Sequence, residues 1–82
     1  MKGCVIERGV YITAGNNVGV GGVVVKNGQN ECALLCASTE ECLAWTFKVS
    51  ESSCWLKSDD SSKGHADGWI TGNKECGNRG MF

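Results

Sequence analysis

Six cysteines, Cys4, Cys32, Cys36, Cys42, Cys54 and Cys76, constrain this 82-residue chain more than any other feature. The first and last lie near the two ends, and the other four cluster in the middle. A chain this short buries too little apolar surface for a large core, so a covalent staple is the usual supplement. Disulfides persist in oxidising compartments. The cysteines therefore imply both a secreted or secretory-pathway location and a small stapled module. Bridges help more as they close longer loops: roughly 4 kcal/mol for Cys4–Cys76, 3 for Cys32–Cys54 and 2 for Cys36–Cys42. Nested loops do not contribute additively, yet any one of these is comparable with the net stability of a small domain.

Zinc is the competing use of clustered cysteines. Structural zinc favours paired knuckles such as C-x2-C. Here the spacings are C-x3-C, C-x5-C and C-x11-C, with two distant cysteines and one histidine, His65. Disulfides fit better, and without a C-x-x-C a thiol redox enzyme has no basis.

Charge narrows the partners. The formal net charge is −1, from eight basic and nine acidic residues, with no basic stripe to attract nucleic acid. No apolar run is long enough to insert across a membrane. No signal peptide precedes Cys4, so the chain reads as one module, residues 1–82, of a longer multi-module secreted protein. No N-x-Ser/Thr sequon occurs. Twelve glycines without a proline, alongside 41% hydrophobic residues and three tryptophans, indicate a folded chain whose glycines serve turns and bulges.

Along the chain, Gly9–Thr13 alternates and predicts a strand. Residues 14–17 carry turn chemistry. Val18–Val25 predicts either one bulged strand or an irregular extended stretch. A helix is expected over Glu31–Ala37, with Asn30 as N-cap, Glu31 in the first turn and Ser38-Thr39 at its end. Cys32, Leu35 and Cys36 share its inward face. Leu43–Val49 is the clearest strand, with Leu43, Trp45, Phe47 and Val49 expected inside and Ala44, Thr46 and Lys48 outside. A polar turn leads to a second strand, Cys54–Lys57, forming a hairpin. Ser58–Asp67 reads as a polar loop, Gly68–Gly72 as a short last strand, and the residues after Cys76 as a fraying tail.

Six cysteines allow fifteen connectivities. Cys32 and Cys36 project in parallel from one short helix, a poor geometry for a mutual bridge. Cys42 lies just past the helix, within reach of Cys36. Strand parity can bring Cys54 to the buried side to meet Cys32. Cys4 and Cys76 then remain to tie the termini.

The run Cys32-Ala33-Leu34-Leu35-Cys36, then Cys42-Leu43-Ala44-Trp45-Thr46-Phe47, Cys54-Trp55-Leu56-Lys57, and Gly68-Trp69-Ile70-Thr71-Gly72 before Cys76 resembles the PAN/apple module family. With Cys4, these residues span nearly the whole chain. Within the family the chain looks most like the apple modules of apicomplexan micronemal adhesins. The resemblance implies an α+β fold, one short helix packed across a curved antiparallel sheet, with cysteines joined first to sixth, second to fifth and third to fourth. It also implies a module that binds proteins or carbohydrates and is not itself an enzyme.

Three function classes follow. A non-catalytic extracellular adhesion module recognising a protein comes first, a lectin-like module binding a host-surface glycoconjugate second, and a disulfide-rich protease inhibitor last, since the 58–67 loop has no disulfide anchor. No cofactor is implied, and no G-x-S-x-G, H-E-x-x-H or phosphate-binding loop is present. His65 with Asp59, Asp60 and Asp67 lacks the spacing of a metal loop. A secreted location, by way of a secretory organelle such as the microneme, matches the resemblance. Trp45 is expected in the core with Phe47. Trp55, of parity opposite to Cys54, faces outward unless residues 19–25 cover it, and Trp69 is unassigned. Lys48 and Lys57 share the parity of Trp55. They form either a solvated face, with lysine stems over the tryptophan, or a Lys/Trp binding patch. Lys48, Trp55 and Lys57, beside the Ser58–Asp67 loop, are the expected ligand-binding residues.

Overall fold

The computed structural model describes residues 3–13 and 17–79. Five strands, β1 (Ile6–Ile12), β2 (Asn17–Val24), β3 (Ala44–Lys48), β4 (Ser53–Lys57) and β5 (Lys63–Asn73), form one antiparallel sheet in the order β1-β5-β3-β4-β2. Two α-helices, α1 (Gln29–Ser38) and α2 (Glu75–Arg79), and a 3-10 turn, Val49–Glu51, complete the described elements. The α+β architecture, one main helix on a bulged antiparallel sheet with three disulfides, is the one expected from the sequence.

The α1 helix starts earlier than its cap residue suggested. Gly28 is the N-cap, and Asn30 lies inside the first turn. The carboxylate of Glu31 reaches back to accept the Asn27 N–H at 3.0 Å, satisfying an amide near the helix start in place of an Asn30 side chain. At the other end the Ser38 and Thr39 hydroxyls donate to the carbonyls of Leu34 and Leu35, terminating the helix where expected. Cys32, Ala33 and Cys36 are buried against the sheet, and Leu35 packs at the edge of the same cluster.

Cross-strand register fixes the buried face. Trp45 pairs with Leu56 on one side and Gly72 on the other, while Phe47 pairs with Cys54 and Ile70. Directly paired residues point to the same side of a sheet. Trp45, at 1% exposure, is the largest fully buried side chain, and its Nε1–H donates to the Asn73 carbonyl at 3.1 Å. The structure joins Cys32 to Cys54 and Cys36 to Cys42, clipping α1 to the hairpin and to its own exit. Cys4 is joined to Cys76, tying the chain ends across 72 positions.

The structure also corrects expectations about the sheet and the chain around it. Leu43 and Val49 are exposed at 44% and 49%, because each lies just outside β3. The backbone of Leu43 bridges Lys57 and Lys74, and Val49 opens the 3-10 turn Val49–Glu51. Alternation holds only within a strand, so their parity carries no meaning. Conversely, Ala44 and Thr46 are buried although they face away from α1. The far end of β1 curls over that face and buries Val10 and Ile12 as well. The Thr71 hydroxyl donates to the Val10 carbonyl at 2.7 Å and lies 3.0 Å from Thr46 Oγ1.

The corrections to the 58–67 loop and to the last strand share that cause. The expected 58–67 loop and short last strand are instead a brief loop and an eleven-residue β5, because Val10–Ile12 pair with Lys63–His65. The register slips between Arg8 and Val10, with Gly9 at φ 72° and Gly68 at φ 88°. Both sit in the left-handed region that lets a strand bulge and turn. The first strand also begins at Ile6 rather than Gly9, and β2 is the bulged strand among the two alternatives. Past Cys76, residues Glu75–Arg79 form α2, packed on α1 with Gly77 against Ala33. The rest of the expected tail, and residues 14–16 of the expected turn, lie outside the described residues.

Candidate ligand-binding face

The outer side of the sheet carries three aromatic rings in a row. Tyr11 on β1 and Trp69 on β5 have ring centroids 5.3 Å apart, tilted by 42°. Trp69 and Trp55 on β4 are also 5.3 Å apart, tilted by 41°. Both spacings fall in the range where aromatic quadrupoles attract. All three rings are half-buried, with apolar surface still open to a ligand. The row exists because the curled end of β1 brings Tyr11 over the sheet and because Trp69 follows the Gly68 bulge. Beneath Tyr11 lies Gly64, where an added Cβ would stand 2.5 Å from the ring. Behind Trp55 lies Gly22 of β2, whose hypothetical Cβ would be 3.3 Å from the indole.

Between the rings is an open cleft of about 250 Å³ lined by Tyr11, Ile12, Thr46, Trp55, Lys57 and Trp69. Of these, Ile12 and Thr46 are the buried members. A concave, mostly apolar surface with a few placed polar groups is the usual form of a small-ligand site.

The structure places Lys48, Trp55 and Lys57 on the same outer face, in two different roles. Lys48 Nζ makes a 3.2 Å ion pair with Glu51 and sits 5.6 Å from the centroid of Trp69. It acts as a brace for the ring, through a cation–π contact of about 0.5–1 kcal/mol at such an exposed site. Lys57 lines the cleft itself, and among the described residues its ammonium makes no ion pair or hydrogen bond. Most of the 58–67 segment lies elsewhere, on the loop after β4 and in β5. There Lys63 pairs with Glu7 at 2.7 Å, and Asp59 accepts from Ser61.

Two members of the site were not singled out from the sequence as ligand-binding residues. Trp69 pairs in regular register with Lys48 on β3 but lies where the β1–β5 register slips, a pairing that the sequence does not signal. Tyr11 belongs to a strand 58 positions away whose partner is not signalled locally. Thr46, read as an ordinary outward residue, proves to be the buried floor.

No curated protein matches the chain. A family model does, that of the PAN domain, over residues 13–57. That segment holds β2, α1, the β3–β4 hairpin and four of the six cysteines, together with Trp55 and Lys57 of the cleft. Covering more than half of the 82 residues, in a fold of one main helix clipped by disulfides to an antiparallel sheet, the match means that this chain belongs to the PAN domain family.

Proposed function

We propose that this protein is a non-catalytic recognition module of an extracellular protein and that its ligand docks on the outer aromatic face. PAN domains are in general protein- or carbohydrate-binding modules of extracellular proteins. Three disulfides in so short a chain agree with an oxidising compartment. The observation that carries the reading is the row Tyr11–Trp69–Trp55, half-buried beside an open cleft on the side of the sheet opposite α1. Aromatic anchors of this kind carry a large share of binding energy where they meet a partner.

Adhesion within a multi-module secreted protein, including one of the micronemal type, is a setting that suits such a module. Nucleic acid is not among the proposed partners at a net charge of −1, nor is membrane insertion. No helix among the described residues is long and apolar enough to cross a bilayer. Recognition of a protein and recognition of a carbohydrate are both compatible with the face; the size of the cleft favours a small ligand, which speaks for the lectin-like reading.

The test compares wild type with Trp55→Ala on a glycan array and on immobilised extracellular glycoproteins, with near-UV circular dichroism to check the fold. Loss of more than ~1 kcal/mol of binding in a folded mutant supports the face. Undiminished binding removes it.

A further inference from the structure

We infer that the cleft between Trp55, Trp69 and Tyr11 is a subsite for a single pyranose ring bearing a carboxylate, with Lys57 as the group that holds the charge. This rests on the reading that the aromatic face is where the ligand docks, and it names the class of ligand.

Size is the first constraint. Pockets for drug-sized ligands run from about 300 to 1,000 Å³, and this cleft holds about 250 Å³. One small ring fits; a helix or a folded surface does not enter it. The second constraint is the wall. Trp69 touches both Trp55 and Tyr11, and the three make a continuous aromatic surface with its faces partly open. The C–H face of a pyranose carries a partial positive charge and matches the negative face of an aromatic ring. The third constraint is the floor. Thr71 Oγ1 donates its one proton to the Val10 carbonyl, so the proton shared between Thr71 and Thr46 comes from Thr46. Thr46 Oγ1 thereby keeps lone pairs, an acceptor suited to a ligand hydroxyl.

Charge decides between a neutral and an acidic sugar. Among the residues lining the cleft, Lys57 is the one cation, and no carboxylate lines it. Lys48, close to the same rings, is already paired with Glu51. Lys57 has no such partner among the described residues. A carboxylate placed against it would form a charge-assisted hydrogen bond. The two lysines therefore separate: Lys48 positions Trp69, and Lys57 contacts the anion.

Tryptophan fluorescence titrations on the intact protein test this with four probes: glucuronate, N-acetylneuraminate, glucose and acetate. The first two place the carboxylate at different ring positions and distinguish a uronate from a sialate ligand. Glucose supplies the ring without charge, and acetate the charge without the ring. At least one acidic sugar is expected to bind about tenfold or more tighter than glucose and acetate, a difference of the size that one ionic contact provides. Lys57→Gln should erase that preference and Lys57→Arg should retain most of it, whereas Lys48→Met, which removes the brace on Trp69, should change the affinities for glucose and for the acidic sugars by the same factor. Raising the salt should weaken the acidic sugar and not glucose. Equal binding of glucose and the acidic sugars, a preference that survives Lys57→Gln, acetate binding as tightly as the sugars, or no binding by any probe would each overturn the inference. If these probes fail while Trp55→Ala still abolishes capture on glycoproteins, the ligand class is wrong and the aromatic face stands. If Trp55→Ala changes nothing there, the face itself falls.

Discussion

Trp45 and Tyr11 are both large aromatic residues that lie flat on a glycine, and the difference between them is what each glycine supports. Trp45 is almost wholly buried and rests on Gly72, where a Cβ would overlap the indole ring. That ring sits in the core and cannot move aside, so Gly72→Ala must overpack it. The expected loss is about 1–3 kcal/mol, read as a lower urea midpoint. An unchanged midpoint would mean that the core is looser around Trp45 than its burial implies. Tyr11 rests on Gly64 in the same way, but its ring is half-exposed and can swing outward. Gly64→Ala is therefore expected to displace the end of the aromatic row and weaken binding on that face, while costing less stability than Gly72→Ala. The reverse order in the two urea midpoints would refute this reading of the pair. At this scale the sequence was legible where a residue sat well inside a strand. Trp45 and Phe47 could be assigned to the core from parity alone. Leu43 and Val49 could not, because their position one residue beyond each end of β3 is set by contacts to Lys57, Lys74 and Ser52 that no local pattern reports.

The elements show the same division between local and distant information. The α1 helix and the β3–β4 hairpin are adjacent in sequence, carry four cysteines, and were readable to within two residues at each end. The long β5 strand was not. Its first half, Lys63–His65, is polar and resembles a loop, and it becomes a strand because β1, more than fifty positions earlier, supplies the other half of the ladder. The curl that follows buries Thr46 and Thr71 on the side that a two-layer picture leaves to solvent, and it converts a flat outer face into a cleft. The Thr71 hydroxyl holds that curl, with one bond to the Val10 carbonyl and another to Thr46. Thr71→Val keeps the shape of the side chain and removes both bonds. With the Val10 carbonyl left short of a donor and the Thr46 hydroxyl short of its acceptor, the expected destabilisation is about 1–3 kcal/mol. Amide exchange at Val10–Ile12 should accelerate more than exchange in β3. Uniform acceleration across the sheet would mean that Thr71 contributes to global stability and does not hold the ribbon in particular.

Across the whole molecule the three bridges divide by depth as well as by loop length. Chain entropy alone ranks Cys4–Cys76 first, ahead of Cys32–Cys54 by about 1 kcal/mol and of Cys36–Cys42 by about 2. Burial ranks them differently. Cys32 and Cys54 are both fully buried in the centre of the core, whereas Cys4 is only partly covered, at its edge. Replacing Cys32 and Cys54 by alanine removes the cross-link and also two buried sulfur atoms, leaving a void whose cost adds roughly 1 kcal/mol or more to the entropic loss. The two effects together outweigh the longer loop. The expected order of urea midpoints is therefore Cys32→Ala/Cys54→Ala lowest, Cys4→Ala/Cys76→Ala next, and Cys36→Ala/Cys42→Ala highest. A Cys4/Cys76 variant that unfolds at the lowest urea concentration would show that loop entropy dominates. Function separates the first two variants further. The aromatic cleft is built from β1, β3, β4 and β5 on the face away from α1, and Cys4–Cys76 lies beside Ala33 and Trp45, on the helix side. While it remains folded, the Cys4/Cys76 variant should bind ligand at the outer face like the wild type. The Cys32/Cys54 variant, which frees β4 from the helix directly behind Trp55, should lose affinity before it unfolds.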